Sequence, residues 1–188
     1  MIVLMSAFLL LSAFSCGGGN KANSTSEQSE ETAVNVPQFD ADSAYLYVKN
    51  QVDFGPRVPN TKEHVACGNY LAGQLEAFGA QVTNQYADLI AYDGTLLKAR
   101  NIIGSYKPES KKRIALFAHW DTRPWADNDP DEKNHNTPIL GANDGASGVG
   151  ALLEIARLVN QQQPELGIDI ICWMQRIMVR RSSSTGQQ

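Results

Sequence analysis

Three features of the sequence predict an α/β protein, a three-layer αβα sandwich around a mostly parallel central sheet. Strand-like and helix-like segments alternate along the chain, the pattern of a sheet with crossover helices. Arg113 to Ala118 is a short continuous apolar run after a charged turn, which suits a central strand buried on both faces. Ala146 to Asn160 carries Val149, Leu152, Leu153, Ala156 and Val159 on one helical face, with Pro164 beyond its end.

The elements follow in order from Pro37. Asp40 or Ser43 can cap a helix running to about Val52. Asp53 to Asn60 holds a glycine and two prolines and reads as a turn-rich connection. Asn60 with Glu63 has the spacing of a capping box for a second helix. Its apolar stripe is Val65, Leu71, Leu75 and Phe78, and Gly79 stops it. Ala80 to Tyr86 alternates as a half-solvated strand, and Leu96 to Tyr106 is a second strand, bent near Arg100. Thr122 to Ala142 is long, polar and aperiodic, and a loop of that length inside a compact domain is usually functional. Ile168 to Ile171 begins a further buried strand.

The remainder of the chain has a different character. Met1 to Ser15 is almost wholly apolar and too short to span a bilayer, as in the core of an export signal. It leads to Ala13-Phe14-Ser15-Cys16-Gly17, which resembles a bacterial lipoprotein signal with Cys16 as the lipidated residue; an ordinary export signal is the alternative. No Lys or Arg precedes the apolar run, which suggests a start further upstream. Residues 17–36 are rich in Ser, Thr, Asn and Glu and read as a flexible tether. A net charge of −4 is small and of the wrong sign for a nucleic-acid partner. Cys67 and Cys172 are two thiols without a motif around them, and a buried, unpaired Cys67 is expected.

In an open α/β sheet, ligands bind at the carboxyl ends of the strands. His119-Trp120-Asp121 stands there, at the end of the buried run. A histidine at that point can ligate a metal, and an aspartate two residues on can orient it; alone, such a tripeptide is more often a surface histidine beside a carboxylate. Gly141-Ala142-Asn143-Asp144-Gly145-Ala146-Ser147-Gly148 opens the amphipathic helix. Its small residues allow a sharp turn that brings Asp144 beside the helix start, although Asn143 or Asp144 alone would read as a simple N-cap.

Taken together these segments resemble the zinc aminopeptidase superfamily that includes the glutaminyl cyclases. The wording is nearest the bacterial cyclases in Ala118 to Asp129, in Thr137 to Asp144, in Val52 to Pro59 and in Asn101 to Gly104. The resemblance covers roughly Phe39 to Ile171. It implies one zinc held by three side chains with a neighbouring acid as proton shuttle, and peptides or proteins with an N-terminal glutamine as substrates, cyclised to pyroglutamate with loss of ammonia. It makes Asp144 the first zinc ligand; His119 is a second ligand in the two-zinc peptidases and lies at the site without being a principal ligand in the single-zinc cyclases, with Asp121 supporting the site. Trp120 and Trp125 are candidate walls of the substrate pocket, with packing as the alternative.

The resemblance breaks after Ile171. The family continues with two apolar residues and then Asp-Ala-Glu-Asp, whose Glu is the shuttle and whose last Asp is a ligand. Here Cys172-Trp173-Met174-Gln175-Arg176-Ile177-Met178-Val179 stands instead, and the later histidine ligand is absent. Reading from the third base of each codon, Trp173 and Met174 must give Asp and then Ala. The residues that follow permit Glu-Asp-Tyr-Gly, and Ile171 to Trp173 permit Leu-Leu. A frameshift after Ile171 is therefore expected, with residues 172–188 an out-of-frame tail and residues 37–171 the N-terminal part of the domain. Without the shuttle and two ligands, this chain is expected to bind zinc weakly or not at all and to lack activity. The alternatives are a zinc aminopeptidase of the same superfamily and a non-catalytic peptide-binding lipoprotein. In each case the lipid anchor at Cys16 points to the bacterial cell envelope, with the protein periplasmic or membrane-anchored.

Overall fold

A computed structural model describes residues 35–174. The signal segment with Cys16, all but the end of the tether and residues 175–188 lie outside the described residues.

Helix α1 spans Ala41–Asp53 and is capped by Asp40, whose carboxylate accepts from the N–H groups of Asp42 and Ser43. Helix α2 spans Lys62–Ala77. Its cap is Thr61, whose Oγ accepts from His64 N at 3.2 Å, and not the expected Asn60. Asn60 has a left-handed backbone, φ 72°, and its side chain bridges to Leu96 O and Lys98 N instead. The buried stripe of α2 is also shifted. His64, Cys67, Gly68, Leu71, Ala72 and Leu75 face inward, whereas Val65 is exposed.

Strands β1 (Gln81–Ile90) and β2 (Leu96–Tyr106) form an antiparallel hairpin. Strand β3 spans Arg113–His119, helix α3 Ser147–Gln161 and strand β4 Gly167–Trp173. The sheet order is β1-β2-β4-β3. β2 and β4 pair antiparallel, and β3 and β4 pair parallel with His119 opposite Trp173. The α/β class holds, but the described sheet is mixed, with one parallel pairing, because the hairpin β1-β2 joins on the far side of β4. Cys172 and Trp173 complete β4, so the regular structure runs past Ile171, the residue after which the sequence predicts a break.

One apolar core joins α2, α3 and one face of the sheet. Cys67, Leu71 and Leu75 meet Val149, Leu153 and Ala156 over Ile102, Ile170 and Cys172. Helix α1 rests on α3 at Gly150, where a Cβ would come 2.6 Å from Val48 Cγ2. Among the described residues the two cysteines, Cys67 and Cys172, are buried and free, as expected for Cys67.

Among the described residues, nothing covers the opposite face of the sheet. Phe117 is 63% exposed and Trp173 39%, and with Gln85, Asn101, Ile103 and Ile171 they line a cleft of about 510 Å³. Among the described residues, β3 is an edge strand and the helices cover one face. The expectation of a central strand buried on both sides is corrected accordingly: nothing described lies over Phe117 or beyond the outer edge of β3.

Candidate metal centre

His119 ends β3, and the polypeptide before α3 turns back onto it. Gly141 is left-handed at φ 61°, Asp144 leaves helical geometry at φ −90°, ψ 97°, and Gly145 takes φ 106°. Only a residue without a Cβ adopts the last conformation readily. A Cβ on Gly145 would also lie 3.1 Å from Asp121 O and 3.3 Å from His119 Cε1, so the imidazole packs directly against this stretch of backbone. Neither Asn143 nor Asp144 caps α3, whose start has no side-chain cap. The N-cap alternative for these two residues is thereby removed.

The result is an imidazole between two aspartates. His119 Nε2 lies 2.9 Å from Asp144 Oδ1. Its Nδ1 lies 3.2 Å from the Asp121 carbonyl oxygen and 3.7 Å from Asp121 Oδ1. Asp121 is almost fully buried, His119 is partly exposed, and the Asp144 side chain is 60% exposed. The Asp121 side chain, with Asp144 in second place, raises the affinity of His119 for a proton against the opposing effect of burial. A metal at Nε2 needs the neutral imidazole and therefore competes with that proton.

The donor chemistry suits zinc only in part. Imidazole nitrogen and carboxylate oxygen are both zinc ligands, but structural and catalytic zinc takes three or four protein donors. Among the described residues no three His, Cys, Asp or Glu side chains converge on one point. His119 pairs with Trp173, and Trp120 N donates to Trp173 O at 3.2 Å, so the chain leaves β4 beside the imidazole. Met174 stands there, where the resemblance expects the first Asp of Asp-Ala-Glu-Asp. Its N–H donates to Asn101 Oδ1 and its side chain packs with Ala91, Leu97 and Ala99.

The two tryptophans separate. Trp120 is completely buried, stacks on His64 with ring centroids 4.1 Å apart, and donates its indole N–H to Arg100 O at 3.1 Å. A pocket wall must be reachable by substrate, so Trp120 is core, and that expectation is corrected. Trp125 is half-buried in the loop after β3, in which Arg123 and Asp127 form an ion pair.

Comparison with known proteins follows the same outline. Residues 101–175 match the model of peptidase family M28. A glutaminyl cyclase of Bacteroides thetaiotaomicron is 96% identical with TM-score 0.73, the match covering 73% of this chain and 47% of that one. A leucine aminopeptidase precursor of the same species is also 96% identical, with TM-score 0.73 and 74% and 48% covered. A Zn-dependent exopeptidase of Parabacteroides distasonis is 58% identical, with TM-score 0.73 and 80% and 53% covered. The chain thus spans about half the length of these relatives.

Proposed function

We propose, from the premise that the chain belongs to the M28 zinc exopeptidase-like superfamily beside the bacterial glutaminyl cyclases, that it carries the N-terminal half of a glutaminyl-peptide cyclotransferase site. The complete site would convert an N-terminal glutamine to pyroglutamate and release ammonia. The observation that carries this reading is the contact of His119 Nε2 with Asp144 Oδ1 at the carboxyl end of β3, within a region 96% identical to a glutaminyl cyclase.

In this reading Asp144 offers its exposed carboxylate to zinc. His119 stands beside it as a second candidate donor. Asp121 fixes the imidazole from behind through its carbonyl and carboxylate, which sets the direction in which Nε2 points. Trp125 flanks the approach of a peptide bearing an N-terminal glutamine. Among the described residues these donors fall short of a zinc coordination set, so this chain alone is expected to hold zinc weakly and to turn over at background. The apolar Met1 to Ser15 run and Cys16 support an envelope location through a lipid anchor.

The test is ammonia release from a glutaminyl peptide by the purified chain and by a version in which the reading frame is shifted after Ile171. Cyclisation by the shifted version and none by the chain as it stands is the expected pattern. Turnover by the unshifted chain, or none by either, contradicts it. A zinc aminopeptidase is the second reading, favoured by the resemblance to a leucine aminopeptidase precursor. Hydrolysis of a leucyl anilide to leucine and the free aniline by the frame-shifted protein would select it. Gly145 after Asp144 argues for the cyclase, since the aminopeptidases typically carry Asn at that point.

A further inference from the structure

The turn Phe54 to Pro59 contributes no metal donor, yet it drives a charged side chain into the interior. Arg57 is fully buried. Its guanidinium donates to main-chain carbonyls on separate segments. Nε donates to Trp120 O at 3.0 Å, Nη1 to Leu140 O at 2.8 Å, and Nη2 to Gly141 O at 2.9 Å. Longer contacts of 3.4 Å from Nη1 reach Gln51 O and Gly55 O. The arginine's own carbonyl accepts from Thr122 N at 3.1 Å.

These partners flank the two halves of the candidate centre. Trp120 and Thr122 bracket Asp121 and follow His119. Leu140 and Gly141 begin the turn that presents Asp144, and Gly141 O also accepts from Ala146 N, closing that turn around Asp144. The turn seats directly on the guanidinium: a Cβ on Gly141 would lie 3.1 Å from Nη2 and 2.5 Å from Thr122 Cγ2. A planar fork with five N–H groups in fixed directions can hold such separate carbonyls at once. The single ammonium of lysine cannot reproduce that spread.

We propose that Arg57 is a positioning residue that sets the separation of His119 and Asp144 by locking the main chain after β3 to the main chain before α3. The inference deepens the reading of these two residues as metal donors and rests on it for its functional meaning; the clamp itself can be tested without metal.

The experiment is amide hydrogen exchange by mass spectrometry on the whole chain, with Arg57→Lys and Arg57→Ala. In Arg57→Lys, exchange should quicken at least about tenfold in residues 119–123 and 138–148 and stay unchanged in residues 96–106 and 149–160. In Arg57→Ala, millimolar guanidinium should restore the protection, while urea at the same concentration should not. Uniform quickening in all four segments, no change in 138–148, or equal rescue by urea would overturn the proposal. Should Arg57→Ala fail to fold, by circular dichroism, the segment pattern of Arg57→Lys decides alone. A zinc titration of the same variants separates the two claims. Loss of the clamp with unchanged zinc affinity would leave Arg57 established as a lock and remove the donor reading of the residues it holds.

Discussion

Single residues in this protein carry charge and conformation that the surrounding chain is built to accept. Gly145 is the sharpest case. Replacement by Ala adds a strained φ of 106° and a contact with Asp121 O and the His119 ring, so Gly145→Ala should destabilise by roughly 1–2 kcal/mol in urea unfolding. On the open face, Arg113 donates from Nη2 to Asp169 Oδ1 at 2.6 Å, and Ser105 Oγ donates to the same oxygen. The Arg113 guanidinium, followed by Ser105, holds the Asp169 carboxyl below its ordinary value of 3.8. A depressed folded-state value means that the contribution is present above that ordinary value and is lost as pH falls below it. Asp169→Asn should therefore lower stability near neutral pH and reduce the loss on acidification below about pH 4, read from urea midpoints against pH. The chemical types at the site were legible in the sequence: His119, Asp121 and Asp144 do meet. Arg57 was not, because a charged residue in a Gly-Pro turn reads as solvent-facing, and only the fold reveals the carbonyls that receive it.

At the level of elements, local signals located segments well and their neighbours poorly. The span of β2 was readable residue for residue, since alternation and flanking turns are local. The cap of α2 was misplaced by one residue, because Asn60 and Thr61 are both capable of capping and the choice fell to Asn60's bridge to β2. Thr61→Ala should cost about 1 kcal/mol in urea unfolding, from loss of the cap to His64 N. The burial of β3 was overestimated, because an apolar run reports what a strand can bury and not what arrives to cover it. The same limit applies to Trp120, which the resemblance offered as a pocket wall with packing as the alternative, and whose N–H and stacking partner lie in the core.

At the scale of the whole molecule, the decisive feature among the described residues is a sheet covered on one face. Phe117, Ile171 and Trp173 on the other face, and β3 as an unpaired edge among the described residues, present apolar surface and free main-chain groups together. The purified chain should self-associate at micromolar concentration in sedimentation, and Phe117→Ser should shift it toward monomer. A monodisperse monomer insensitive to that change would show that the open face is covered in solution. The chain spans about half the length of its solved relatives, and His119, which contacts Asp144, pairs in register with Trp173, the last residue of β4. Under the proposed function the described residues supply only part of a zinc donor set, and titration of the chain with zinc tests that most directly. The predicted result is weak, substoichiometric binding that Asp144→Ala weakens by at least about tenfold. Tight stoichiometric binding, or binding indifferent to Asp144, would contradict it.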